Sequence, residues 1–177
     1  MKSKRIKAGL LLCDHIPTKY HDIAADYAEM FAATYTNFDF EVYTVCDGEF
    51  PESVEDCEIY VCTGSHSSVY EEVDWVLRLK KFVGEIHQAN KKYIGHCFGH
   101  QMLAEALGGK VERANIGWCV GVHTFEVVKE EEWMLPFQEN FNTIMLCQDQ
   151  VQVLPPNSTV LATSKDCPIA MFRVGEN

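Results

Sequence analysis

The sequence predicts an α/β fold in which helices cover both faces of a mostly parallel central sheet, followed by a strand-rich C-terminal part. Two observations lead to this prediction. Up to Leu107, short apolar runs of strand length alternate with segments whose apolar residues recur every three or four positions. After Gly109 the helical spacing disappears, and short strand-like runs follow one another. Alternation of the first kind is typical of a parallel sheet with helical connections.

The first 48 residues predict a strand, a helix and a second strand. Residues 6–13 form a short apolar run, which indicates a strand buried on both faces. Between 20 and 35, apolar residues that include Ile23 lie on one helical stripe, so we expect the first helix there. Residues 38–44 alternate between apolar and polar up to the turn signal Asp47-Gly48, which predicts the second strand.

Two further strand–helix pairs come next. Residues 57–62 are apolar and open into a loop at Gly64, which predicts the third strand. Residues 74–89 carry Val76, Leu77 and other apolar residues at helical spacing. A fourth strand and a third helix fit within 92–107, because two glycines at 108–109 supply a helix stop.

Four more strands are predicted after the third helix. They lie at residues 122–128, 143–147, 160–164 and 169–174. The chain has 177 residues, of which 47% are hydrophobic, and shows no linker or repeat. We therefore expect a single domain over 1–177.

Charge and hydropathy limit the partners. The formal net charge is −11, so nucleic acid and anionic membrane surfaces would repel the protein. No run approaches the roughly 18 apolar residues of a membrane span, and the apolar run that begins at Ala8 is too short for a signal peptide. The sequence therefore predicts a cytoplasmic protein without nucleic-acid or membrane partners.

The chain contains eight cysteines but no Cys-x-x-Cys pair. Most of these cysteines lie inside apolar runs, where reduced core thiols are expected. Only Cys57 and Cys62 approach the spacing of zinc ligands, so we expect neither a metal nor another cofactor.

Residues 92–101 carry the strongest chemical signal. A short strand leads into Gly95-x-Cys97-x-Gly99 and then directly into an amphipathic helix. This pattern is that of a nucleophile elbow with cysteine in place of serine. Flanking glycines permit a turn too tight for a Cβ, and the helix N-terminus favours the reactive thiolate. Cys97 is therefore the predicted nucleophile.

The elbow, Gly-His-Cys-Phe-Gly-His-Gln over 95–101, resembles that of class I glutamine amidotransferases. The glycine loop at 62–72 and the Gln-Asp-x-Val segment at 148–151 are similar to two further family segments. The order of segments is closest to standalone members such as γ-glutamyl peptidases. The resemblance implies a flavodoxin-like class I amidotransferase fold.

The resemblance also implies a mechanism and a set of site residues. The Cys97 thiolate attacks the γ-amide of glutamine or of a γ-glutamyl compound, ammonia or an amine leaves, and water hydrolyses the γ-glutamyl thioester. Backbone N–H groups of Gly64 and Phe98 are the expected oxyanion-hole donors. Gln101 is expected beside the substrate. Leu146 and Cys147 occupy positions whose backbone meets the α-amino acid group of the substrate in family members.

Family members complete the catalytic triad with a His-Pro-Glu motif, which is absent from the 177 residues. None of the seven histidines is a convincing substitute. His96 should point away from the thiol of its neighbour, and His66 is expected to be a solvated loop residue. We therefore expect that the chain lacks the C-terminal strand and helix of its family.

Two function hypotheses follow. The first is an amidohydrolase of the amidotransferase type, which leaves a separate synthetase subunit or a homodimer open as partner. The second is a non-catalytic binding or regulatory protein that retains the elbow but lacks the His and Glu of the triad. Another cysteine-elbow family of the same broad fold is disfavoured by the segments at 97–101 and 148–151.

Overall fold

The computed structural model describes residues 5–23 and 25–176, which fall into two compact units that meet in sequence after Ala106. Residues 1–4, 24 and 177 belong to the predicted domain, and residue 24 also to the predicted first helix; they lie outside the described residues. The expectation that one domain spans 1–177 stays a prediction.

The first unit is built on a parallel sheet. Its four strands, in the spatial order β2-β1-β3-β4, are β1 (Ile6–Leu11), β2 (Phe38–Tyr43), β3 (Ile59–Cys62) and β4 (Lys92–Gly95). The three neighbouring pairs are all parallel. The prediction of an α/β fold with a parallel sheet is therefore confirmed, whereas helices on both faces stay a prediction.

Three helices connect these strands: α1 (Tyr27–Thr34), α2 (Asp74–Gln88) and α3 (Phe98–Ala106). α1 is shorter than predicted. It begins at Tyr27 because the Asp26 side chain accepts a hydrogen bond from the Tyr27 N–H and forms a capping box with Glu29. Ile23, expected on the helical stripe, precedes the helix and is 83% exposed. The spacing Asp-x-x-Glu could have located this start.

The core of the first unit combines β1, β3 and α2. Both strands bury nearly all of their side chains, as expected for the inner strands of a parallel sheet. α2 turns a buried stripe to the core that includes Val76, Leu79 and Phe82. Leu77, predicted on this stripe, is instead exposed. The inner strands bring their carboxyl ends, and the loops that follow them, to one edge of the sheet.

The second unit consists of antiparallel strands. They are β5 (Lys110–Arg113), β6 (Cys119–Val127), β7 (Asn140–Cys147), β8 (Asp149–Val153), β9 (Ser158–Thr163) and β10 (Met171–Val174). One sheet has the order β10-β9-β6-β7, and β5 pairs with β8. β5 and β8 were not predicted, because charged and amide side chains interrupt their apolar residues.

Candidate active site

Cys97 lies in the sharp turn between β4 and α3, at the predicted elbow. Its φ angle is +50°, in the left-handed region that non-glycine residues rarely adopt. It is also the one exposed cysteine among the eight; the others are buried or half-buried. The turn thus holds a strained residue whose thiol is accessible, a combination found at functional sites.

The two glycines of the elbow are required by close backbone contacts. A Cβ on Gly95 would lie 2.4 Å from the carbonyl carbon of Gly99, and a Cβ on Gly99 would lie 2.7 Å from the carbonyl oxygen of Cys62. Hydrogen bonds close the same contact, since the Gly99 N–H donates to the Thr63 carbonyl (3.1 Å). The elbow is therefore packed directly against the end of β3, with no space for side chains in between.

The two proposed oxyanion donors lie on either side of this contact. A Cβ built on Gly64 would begin 3.6 Å from the Cβ of Cys97, so the glycine loop passes beside the nucleophile. Phe98 is the first residue of α3, and the first N–H groups of a helix have no partner within it. The buried Phe98 ring packs on Trp75 (centroids 5.5 Å apart), which fixes the start of the helix.

The predicted substrate-binding residues are distributed over both units. Gln101 lies in α3 and is buried, and its N–H donates to the Cys97 carbonyl (3.0 Å). Leu146 and Cys147 end β7 in the second unit, where they pair with Val120 and Cys119 across the strand. The Leu146 side chain is exposed and Cys147 is half-buried. Their roles toward a substrate stay predictions.

The histidines beside the nucleophile are engaged away from proton transfer. His96 accepts or donates a 2.6 Å hydrogen bond between its Nε2 and the Tyr35 hydroxyl, and its ring packs edge-on against Phe31. Burial lowers the pKa of His96. Burial also lowers the pKa of His100 to about 4, so that its ring is neutral at physiological pH. These contacts support the expectation that His96 does not serve Cys97.

His66 forms a pair that the sequence analysis missed. Its ring Nδ1 and its backbone N–H both lie within hydrogen-bonding distance of Asp14 Oδ2, at 2.8 and 2.9 Å. Asp14 follows β1 and His66 follows β3, so the pair clamps two loops at the carboxyl edge of the sheet. The His66 ring is exposed, as expected, but it is held by a carboxylate.

Tyr27 is a second residue that the sequence analysis did not assign to the site. Burial raises the pKa of the Tyr27 hydroxyl, and the nearby charges of Asp14 and of a Cys97 thiolate raise it further. The first residue of α1 therefore lies close to both groups. The position of Asp14 just past a buried strand was the one available signal, because functional residues gather at the carboxyl ends of parallel strands.

Comparison with known proteins assigns the family. The model of the class I glutamine amidotransferase family matches residues 40–176. γ-Glutamyl peptidase 4 of Arabidopsis thaliana is 36% identical over 145 residues, which are 78% of this chain and 58% of that protein. γ-Glutamyl peptidase 3 of the same plant is 28% identical over 186 residues, or 99% of this chain and 74% of that protein. The first of these relatives is thus matched over less than two thirds of its length.

A solved structure supports the same fold. A glutamine amidotransferase from Thermotoga maritima superposes with a TM-score of 0.81 at 22% identity, over 98% of this chain and 74% of that one. Fold and site together define an α/β protein with a cysteine elbow. The chain belongs to the class I glutamine amidotransferase family.

Among the described residues, no helix has both the length and the apolar character needed to cross a membrane. The cytoplasmic location stays a prediction.

Proposed function

We propose that this protein is an amidohydrolase of the amidotransferase type, in which Cys97 attacks the γ-amide of glutamine or of a γ-glutamyl compound. The observation that carries the proposal is the exposed Cys97 at a φ of +50° in an elbow packed against β3. A strained turn that presents one accessible thiol has no evident packing role. The names of the two plant relatives favour γ-glutamyl substrates.

The reaction consists of two acyl transfers. In the first, a bond forms between Cys97 Sγ and the γ-carbonyl carbon, the C–N bond breaks, and the nitrogen leaves with an added proton as ammonia or an amine. In the second, water adds to the thioester, its oxygen becomes part of the γ-carboxylate of glutamate, and the thiol is restored.

The tetrahedral intermediates of both steps carry a negative oxygen. The backbone N–H groups of Gly64 and Phe98 flank Cys97 and would donate to this oxygen, each worth about 10²-fold or more in rate. Gln101, Leu146 and Cys147 are the proposed substrate contacts. A His-Pro-Glu segment, as in other family members, would supply the proton carrier; it is absent from the 177 residues.

A protein partner is the least specified part of the proposal. A chain of Pyrococcus abyssi whose name makes it one part of a glutamine-hydrolysing GMP synthase is 33% identical over 94 residues, 53% of this chain and 50% of that protein. This likeness favours a separate synthetase, and not a second copy of this chain, as the partner that accepts ammonia.

The test is covalent labelling of the natural gene product with an electrophilic glutamine analogue, followed by intact mass and peptide fragmentation. We expect one adduct, on Cys97, that glutamine or a γ-glutamyl dipeptide suppresses. Glutamate release from these substrates should fall at least about 10³-fold in Cys97→Ser.

Cys46→Ser is the matched control, because burial raises the pKa of that half-buried thiol to about 11 and keeps it unreactive. This variant should retain the adduct and the activity. Absence of any adduct on Cys97, with a folded protein, would leave a binding protein that retains the elbow. Labelling that depends on Cys46 would also contradict the proposal.

A further inference from the structure

A second group of chemically active side chains lies at the carboxyl edge of the parallel sheet. His15 follows β1, and Cys46 and Asp47 belong to the short 3₁₀ helix that follows β2. One ring nitrogen, the thiol sulfur and one carboxylate oxygen of these residues all lie within 4.8 Å of one another. In the part of the chain that the structure describes, no other group of three such side chains converges in this way.

The ring of His15 lies between two carboxylates. Its Nε2 is 2.9 Å from Asp47 Oδ2, and its Nδ1 is 3.8 Å from Asp26 Oδ2. A neutral imidazole has a proton on only one nitrogen, so one of these nitrogen–carboxylate contacts would place two lone pairs face to face. A cation at Nε2, either a proton or a metal ion, removes this repulsion.

The donor set selects the kind of metal. Imidazole nitrogen, thiolate sulfur and carboxylate oxygen together suit Zn²⁺, whereas Mg²⁺ and Ca²⁺ prefer oxygen ligands alone. Asp26 would then accept from the Nδ1–H of His15 and orient the ring, as carboxylates beside zinc-binding histidines do. We propose that His15, Cys46 and Asp47 form a three-ligand Zn²⁺ site, with Asp26 as the outer partner of His15.

The geometry of the group is open enough to accept an ion. Ligand atoms around one tetrahedral Zn²⁺ are about 3.3–3.8 Å apart, given Zn–ligand bonds of about 2.0–2.3 Å. The exposed side chains of His15 and Asp47 need only rotate toward the thiol to reach this spacing, and the thiol proton is released when the sulfur binds. Three protein ligands leave the fourth position to water.

This site is separate from the nucleophile. β2 and β4 are the two edges of the sheet, with β1 and β3 between them. Strands are about 4.8 Å apart, so an ion held between the ends of β1 and β2 would lie on the order of 12 Å from the end of β4. The sequence analysis did not expect a metal, because His15 and Asp47 are 32 positions apart in the chain.

The test is a titration of the full-length, chelator-treated protein with Co²⁺, which gives a thiolate-to-cobalt charge-transfer absorption in the near ultraviolet when cysteine binds it. We expect one equivalent of Co²⁺ to bind with this absorption and one equivalent of Zn²⁺ to displace it. Cys46→Ser should lose the absorption. Asp26→Asn, which keeps a good N-cap for α1, should weaken Co²⁺ binding about 10- to 100-fold.

Cys97→Ser is the control that separates the two sites, and it should bind Co²⁺ like the wild type although it loses the proposed hydrolase activity. Thermal unfolding of each metal-free variant checks that it is folded. Binding without charge-transfer absorption would overturn the proposal. So would an absorption that survives in Cys46→Ser and disappears in Cys97→Ser, since the metal would then sit on the nucleophile.

Discussion

The elbow after β4 and the loops after β1 and β2 lie at the same edge of one sheet, yet their chemical groups are held in different ways. At the elbow, contacts between backbone atoms fix Cys97, and burial lowers the pKa values of His96 and His100. After β1, exposed side chains are held by charge, and the hydrogen bond to Asp47 raises the pKa of His15.

This difference shows that one sheet edge can combine two kinds of precision. Steric contact leaves the nucleophile no alternative position and does not depend on pH. Charge pairing between exposed groups contributes little stability, but it responds to protons and metal ions. The two regions should therefore respond differently to substitution and to acid.

The largest effect is expected from Gly95→Ala. The new Cβ would meet backbone atoms of Gly99 at 2.4 Å, and backbone cannot yield as a side chain can. We expect a loss of about 3 kcal/mol in the free energy of unfolding, at the upper end of typical overpacking costs. Denaturant unfolding measures it.

Gly84→Ala is the matched control, since its Cβ would meet nothing closer than 3.9 Å within α2. This variant should be more stable than the wild type by up to about 1 kcal/mol, because alanine favours a helix interior over glycine. Equal stability of Gly95→Ala and the wild type would show that the elbow can open.

The next effect concerns acid and His100. The folded protein holds this ring neutral down to a pKa of about 4, whereas the unfolded chain takes up a proton near the ordinary histidine pKa of 6.5. Stability is therefore lost as pH falls from about 6.5 to 4, by up to about 3 kcal/mol from this residue.

His100→Gln removes that titration. Its stability should fall less than that of the wild type over the same pH range, as measured by thermal unfolding at several pH values. Parallel curves for the two proteins would mean that burial of His100 does not control its protonation.

The smallest effect is expected from Asp14→Asn, in the region held by charge. The substitution weakens both hydrogen bonds to His66, but the His66 ring is exposed, so the loss should be at most about 1 kcal/mol, or roughly 3 °C in Tm. Amide hydrogen exchange at His66 should accelerate. The same change at the exposed Asp39 of β2 is the control, and equal exchange at His66 in the two variants would contradict the clamp.

Much of the first unit could be predicted because its signals are local. The four parallel strands and α2 followed from apolar runs and helical spacing within single segments. The start of α1 was misplaced, since the capping role of Asp26 outweighed the apolar stripe that includes Ile23. β5 and β8 were missed because their pairing, and not their composition, makes them strands.

The same distinction holds for the candidate site. Cys97 and its two glycines lie within five consecutive residues, so the sequence alone determined the nucleophile and the reason for the glycines. Asp14 and His66 are 52 positions apart, and His15 and Asp47 are 32 apart. Only the tertiary structure decided these pairs, because parallel strands bring the ends of distant segments to one edge and no local pattern records which side chains meet there.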